Sequence, residues 1–429
     1  MNKPTIIILS PPFYSHFTPL LALAQALQRV GADITVGCSR EFAPAIREQG
    51  LEFVEVQINR NANTGQATAT HQSASEQQRL HEFLAASRQG PVATLRTQTR
   101  HRFADMLANP EQLRERIAQL HAERQPQLWI VDQLSYGATL ALVAQQRRFI
   151  TFCPPHPLSI PSVDGIFGVP PHWPQAFTVP AAEVAVLRAE ALALQQRFTA
   201  RCNQLLADDG VSVANAFALT SPELIVHNYP QFAAVDTVPQ RIFCGCSFAD
   251  TEAEFPRTAP PPGTPECMVI ALGTFLSARS DVLIALGQQL RRLYPQALLV
   301  IGAGEQAAAV QAAVAAPTVI QPFIDQRRWL RQADVFIHHG GVSSFTEALY
   351  YGVPMVVLPF SSDQFNVAVD VERHDLGAVL DPNHLTAAAL QQAVIQACSA
   401  LTRQNVAHYT QQLRARGPGY AARAILQCL

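Results

Sequence analysis

Charge is scarce in this chain. Asp, Glu, Lys and Arg make up 15% of its 429 residues and sum to a net charge of −2 at pH 7. So light and balanced a charge excludes a general attraction to nucleic acid or to an anionic membrane surface. Lysine is almost missing: Lys3 is the only one, and codon usage accounts for that ahead of function. The eight cysteines hold one close pair, Cys244 and Cys246, with no second pair to complete a four-ligand zinc site. Reduced, mostly buried thiols of a cytosolic protein are expected instead. No apolar run is long enough to cross a bilayer. The stretch "TIIILS" is too short for a signal-peptide core and runs straight into Pro11-Pro12. The sequence also lacks HExxH, an EF-hand loop, a Walker A loop and an Asp-x-Asp that would hold a metal on a diphosphate. No metal is therefore expected, and any bound phosphate has to be met by helix ends and side chains.

Apolar residues are plentiful, at 48% of a chain long enough for two or three domains. They alternate between strand-like runs and helix-like spacing. Thr5–Leu9, Ile34–Val36, Leu51–Val56 and Gln127–Val131 read as buried strands, with a helix over Leu20–Val30 and another over Glu41–Gln49 between them. Asn59 to Gln78 has little periodicity and reads as a loop. Pro154 to Pro180 is Pro-rich and irregular, a candidate pocket wall. A polar, Pro-rich linker is expected at 247–266. After it the alternation restarts, with strands at Met268–Leu272, Ala297–Ile301, Thr318–Gln321, Asp334–His338 and Met355–Phe360. This alternation predicts an α/β chain of two doubly wound, Rossmann-like domains with parallel sheets, facing a central cleft. The expected bounds are 1–246 for the first domain, 267–410 for the second, and a final helix in 411–429 returning to the first.

Polar groups gather at the expected strand ends. His339-Gly340-Gly341-Val342-Ser343-Ser344 follows a strand and opens a helix, where free N–H groups and the positive helix end suit a phosphate. A capping box over Ser344-Phe345-Thr346-Glu347 would equally account for Ser344 and Glu347. Asp363-Gln364 follows the next strand, so it should share that rim. A carboxylate beside an amide can grip vicinal hydroxyls, unless the pair merely starts a helix. Phosphate donors and hydroxyl binders on adjacent strand ends point to a sugar nucleotide. In the first half, His16 falls in a strand-to-helix loop and Asp132 ends a later strand. A His backed by an Asp is a general base held in one tautomer, although Asp132 could instead cap a helix. A rival signal, Gly302-Ala303-Gly304-Glu305-Gln306-Ala307, matches a dinucleotide fingerprint, with Asp325 near the spacing of its ribose acid. It would leave His339 and Asp363 unexplained.

These motifs together resemble the family-1 glycosyltransferases of GT-B fold, the UDP-glycosyltransferase superfamily, and in particular its bacterial branch acting on small lipophilic metabolites such as carotenoids and macrolides. The likeness is strongest over Phe323–Gln364, with the His339-Gly-Gly stretch, Glu347 eight residues on, and Pro359-Phe360…Asp363-Gln364. It implies that His339 contacts the diphosphate, Glu347 the ribose, and Asp363 and Gln364 the sugar. Gly273-Thr274 in "ALGT" resembles the phosphate-side loop of the second domain, and "SHFTP" the catalytic His-x-x-Pro, with Asp132 as its partner. The sequence departs from the family at Phe323-Ile324-Asp325-Gln326, where Trp-x-Pro-Gln is common, and at Val342-Ser343.

The expected activity is inverting, metal-independent transfer of a hexose, glucose first, from UDP-glucose to a small lipophilic alcohol. No cofactor is expected, a UDP- or dTDP-sugar being the co-substrate. Candidate catalytic residues are His16 and Asp132. Candidate donor contacts are Gly273, Thr274, Phe323, Ile324, Gln326, His339, Gly341, Val342, Ser343, Ser344, Glu347, Asp363 and Gln364, and candidate acceptor contacts are Phe13, Phe17, Phe167 and Trp173. A cytoplasmic monomer or weak homodimer is expected, with no nucleic-acid partner. A nucleotide-sugar epimerase of the same fold is the main alternative, ahead of a dinucleotide-dependent oxidoreductase and a non-catalytic sugar-nucleotide binder.

Overall fold

The computed structural model describes residues 3–59, 74–232, 239–246, 248 and 264–429. Two parallel sheets organise them. The first has seven strands: β1 (Thr5–Leu9), β2 (Asp33–Cys38), β3 (Glu52–Glu55), β4 (Leu128–Asp132), β5 (Phe149–Cys153), β6 (Leu224–His227) and β7 (Gln240–Phe243). The second has six: β8 (Cys267–Ala271), β9 (Leu298–Gly302), β10 (Thr318–Gln321), β11 (Val335–His338), β12 (Met355–Val357) and β13 (Gly377–Val379). Their spatial orders are 3-2-1-4-5-6-7 and 10-9-8-11-12-13. In each, strand order reverses once, between β1 and β4 and between β8 and β11. Ligands of open α/β sheets bind at such a reversal, beyond the carboxyl ends of the strands.

The strands are continuous apolar runs because helices cover both faces. Ile6–Leu9 are fully buried, Ile6 and Ile8 in one hydrophobic cluster and Ile7 and Leu9 in another. Helix Ser280–Leu293 turns Val282, Leu283, Leu286 and Leu290 onto the second sheet and leaves its other face wet. The last helix, Gly417–Gln427, packs on the first helix, placing Ala421, Ala422 and Ile425 in the first domain's core. Its start is tied to that domain by Gly417 N–H donating to Cys244 O at 2.7 Å.

The structure adds to and corrects the expected elements. The first sheet holds β5, β6 and β7 beyond the four strands read from sequence, and β13 extends the second. Residues 60–73 of the expected loop lie outside the described residues, but helix Ala74–Gln89 already occupies its last positions. Most of the expected 247–266 linker also lies outside them. Among the described residues no helix is long and apolar enough to cross a membrane.

Phe365, fully buried, enters an apolar socket made by first-domain Val92, Leu95 and Leu187, with Trp173 edge-on to its ring at a centroid distance of 5.2 Å. This seat fixes the start of helix Gln364–Arg373 against the first domain. It thereby brings the Asp363 loop up to the β1–β4 strand ends.

Candidate active site

His16 does not sit in a loop. It is the third residue of helix Tyr14–Arg29, and Pro19 lies inside that helix, not at its start. The buried ring of Phe17 pins the first turn against Phe42 at 4.4 Å, so the helix begins a turn earlier than Pro19 suggests. His16 Nδ1 lies 2.9 Å from Asp132 Oδ2 and 3.1 Å from Oδ1. The Asp132 side chain is fully buried at the end of β4, and its Oδ1 also accepts from Leu134 N–H at 2.8 Å. A carboxylate only accepts, so Nδ1 carries the proton and Nε2 is left as the basic nitrogen. Burial pushes the His16 pKa down, but the charge and hydrogen bond of Asp132 and the charge of Asp363 outweigh it, and the net shift is upward. The two candidates thus meet at the first sheet's reversal point.

At the second reversal point, the His339 ring lies between Gly273 and Gly341. A Cβ on Gly273 would come within 2.9 Å of His339 Cε1, and one on Gly341 within 2.5 Å of Nε2. Gly273 also holds φ at +77°, which other residues rarely adopt. Burial lowers the His339 pKa to about 4 against the opposing Asp363 charge, so the ring is a neutral hydrogen-bonding group. Helix Val342–Tyr351 starts here with Gly341 as N-cap and no side-chain cap. Its first-turn N–H groups and positive end are the components of an anion site. The capping-box alternative fails. The helix begins before Ser344, whose hydroxyl instead accepts from Gln326 Nε2 at 3.3 Å. Glu347 Oε2 accepts from the same amide at 2.6 Å, and burial raises the Glu347 carboxyl to about 7.

Residues 282–415 match the model of the glycosyltransferase family 28 C-terminal domain. Over 398 residues, 92% of this chain and 89% of the other, the sequence is 24% identical to NDP-glycosyltransferase YjiC of Bacillus subtilis. A 76-residue stretch is 36% identical to the uncharacterized UDP-glucosyltransferase YojK of the same organism, spanning 18% of this chain and 19% of that protein. The crystal structure of the glycotransferase of kitacinnamycin superposes with a TM-score of 0.68 at 21% identity, covering 100% of this chain and 99% of that one. The chain is a GT-B glycosyltransferase.

The remaining candidates of this glycosyltransferase divide. Gly273 is exposed, Thr274, Ser343 and Gln326 are partly open, and Phe323 is 74% exposed. Ile324 and Val342 belong to the second domain's core, which leaves only their backbone for a ligand. Asp363 Oδ2 accepts from His156 N–H at 2.9 Å, a contact between the domains. Gln364 Oε1 is taken by the N–H groups of Phe360 and Ser361 at 2.9 and 3.1 Å, so the expected two-way grip on hydroxyls reduces to its donating Nε2. Of the acceptor candidates, Phe13 lies edge-on to His16 at 6.2 Å. Phe17 is core and is not a pocket wall. Phe167 stacks on Phe217 at 4.1 Å, and Trp173 covers Phe365 at the domain contact.

The dinucleotide fingerprint is closed. Ala303 N–H donates to Gln321 O at 2.9 Å and Gly304 N–H to Pro322 O at 3.0 Å, which leaves these amides unable to cradle a pyrophosphate. Asp325 caps the helix Gln326–Leu330 by accepting from Arg328 N–H at 3.1 Å. Among the described residues, no three His, Cys, Asp or Glu groups are placed to hold a metal.

Sequence reading missed the residues that hold the domains together here. His156 Nε2 donates to Asp370 Oδ2 at 2.9 Å, Tyr229 OH donates to the same oxygen at 3.0 Å, and Gln98 Nε2 donates to Ser362 Oγ at 2.9 Å. It also missed Arg102, whose guanidinium lies over Phe167. None belongs to a local motif, and each acquires its role from a partner more than sixty residues away.

Proposed function

We propose that this glycosyltransferase moves glucose from UDP-glucose to a hydroxyl of a small lipophilic acceptor, with inversion and without a metal. The observation that carries the reading is the His16–Asp132 pair at one reversal point and the uncapped helix with His339 at the other, with the Asp363 charge acting on both histidines. His16 Nε2 takes the acceptor proton, and buried Asp132 stabilises the resulting imidazolium. The acceptor oxygen attacks the anomeric carbon opposite the leaving diphosphate, so an α-linked donor gives a β-linked product. The first-turn N–H groups and His339 bear the departing charge. Phe323 offers an exposed face to the base, and Glu347 accepts from the ribose hydroxyls. Seven of the eight cysteines are buried, which favours a reducing cytosol.

The test is a sugar-nucleotide panel with a hydroxylated aromatic acceptor, run after exhaustive chelation. A β-glycoside and free nucleoside diphosphate should form, fastest from UDP-glucose. Sugar interconversion without acceptor-dependent product would replace this reading by an epimerase. Loss of activity in EDTA with rescue by Mg²⁺ or Mn²⁺ would overturn the leaving-group assignment.

Glu347 gives a pH signature. Its ionised form accepts hydroxyl hydrogen bonds more strongly than its protonated form. The carboxyl titrates at about 7, so donor KM should fall as pH rises through that value. Glu347→Gln should raise KM above pH 7 and flatten this dependence with little change in melting temperature. A pH-dependent KM that survives in the variant would remove Glu347 from the donor site.

A further inference from the structure

Arg102 lies on helix Pro91–Met106 of the first domain, four residues after Gln98. That spacing puts both side chains on one helix face. Gln98 grips the loop before Asp363 from both sides, donating to Ser362 Oγ at 2.9 Å and accepting from Ser362 N–H at 3.2 Å. The face carrying Arg102 is therefore turned to the cleft. The guanidinium sits 4.8 Å from the centroid of Phe167. It also lies directly on Gly168, where a Cβ would fall 2.1 Å from Nη1 at a φ of +78°. The loop is shaped to receive it.

Yet the charge is unsatisfied. Among the described residues the guanidinium makes no hydrogen bond and has no carboxylate within ion-pair distance, although five N–H donors are available. Burial, the largest influence on it, disfavours its charge, while Tyr136 and Asp363 act in the opposite sense. Arginine does not shed its proton to escape this. A partly desolvated cation resting on an aromatic face, with its donors unused, is a site for a planar oxyanion. Its neighbours Phe167 and Tyr136 are aromatic, lie edge to face at 6.5 Å, and belong to the acceptor half.

We propose that Arg102 is an acceptor-specificity residue, and that the acceptor is a hydroxylated, otherwise apolar molecule bearing a carboxylate. This rests on the glycosyl-transfer reading above and names the acceptor class for that site. The carboxylate pairs with Arg102 while the hydroxyl meets His16.

The experiment uses matched hydroxyaryl carboxylic acids and their methyl esters. Binding and UDP-glucose-dependent transfer are measured on wild type, Arg102→Met and Arg102→Lys. Wild type should favour the acid by roughly 10- to 100-fold in Kd and KM, the range of charged hydrogen bonds. Arg102→Met should erase that preference and leave the ester values unchanged, and Arg102→Lys should keep part of it. If Arg102→Met fails to fold, Arg102→Lys decides, because losing the planar fork should lower the acid preference alone. Equal binding of acid and ester by wild type would overturn the proposal. So would an Arg102 variant that weakens UDP-glucose with every acceptor, which would make Arg102 the partner of Asp363. His16→Ala separates the two readings. Loss of transfer with acid preference retained in binding supports both, and retained transfer removes the base assignment while the binding comparison still decides Arg102.

Discussion

Replacing His16 with alanine should lower transfer to an unactivated alcohol by about 10²–10⁴-fold, the range for loss of a general base. Affinity for UDP should stay near wild type, because the anion site is built from the other domain. The pH profile gives the finer test. A base works in its neutral form, and Asp132 with Asp363 raises the His16 pKa despite burial. Transfer should therefore fall as pH drops through a value above the ordinary histidine 6.5. Asp132→Asn removes the charge that stabilises the imidazolium, so the acid limb should move to lower pH. The plateau rate should also fall, because the asparagine NH₂ no longer enforces a proton on Nδ1. Steady-state rates over pH 5–9 on wild type and both variants check this. Near-normal turnover in His16→Ala, or an acid limb unmoved in Asp132→Asn, would remove the pair from the mechanism.

Local signals carried much of this. Apolar runs of three to six residues between helical spacings located β1 to β4 and β8 to β12, because a strand covered on both faces has few ways to be written. The strand ends followed, and with them the places of His16, Asp132, Gly273 and His339, whereas the reversal points came only with the strand order. Signals failed where a residue's role depends on distant chain. Ser344 and Glu347 spell a capping box, but the helix starts at Val342 once Gly341 supplies the cap position, and Gln326 claims both side chains. Phe13 and Phe17 look alike in sequence, and only helical phase sends Phe17 into the core. Helix Pro91–Met106 meets the second domain through Val92 and Leu95, which seat Phe365, and also through the polar Gln98, so apolar periodicity marks only part of that contact.

Asp363 should decide which sugar is transferred, and the structure narrows how. Its Oδ2 is engaged by His156 N–H, and Oδ1 has no partner among the described residues. Gln364 has spent its oxygen on Phe360 and Ser361, leaving Nε2 to donate. One carboxylate oxygen that accepts and one amide that donates suit a fully hydroxylated hexose, and glucose is the first choice. A dideoxy sugar would leave Asp363 Oδ1 unpaired in a closed cleft. A site built for a hydroxyl rejects an analogue lacking it by as much as ~10⁴-fold. UDP-glucose should outperform dTDP-linked dideoxy donors by a margin of that order. Asp363→Ala should collapse this margin by depressing transfer from UDP-glucose, while binding of UDP alone, which has no hexose to lose, stays nearly intact. Because the Asp363 charge also raises the His16 pKa, the acid limb should shift downward in the same variant. Asp363→Asn supplies the control: its amide oxygen can keep the His156 contact while the charge is gone. If Asp363→Asn retains the glucose margin, or if Asp363→Ala weakens UDP as much as UDP-glucose, the sugar assignment fails, and Asp363 is only a contact between the domains.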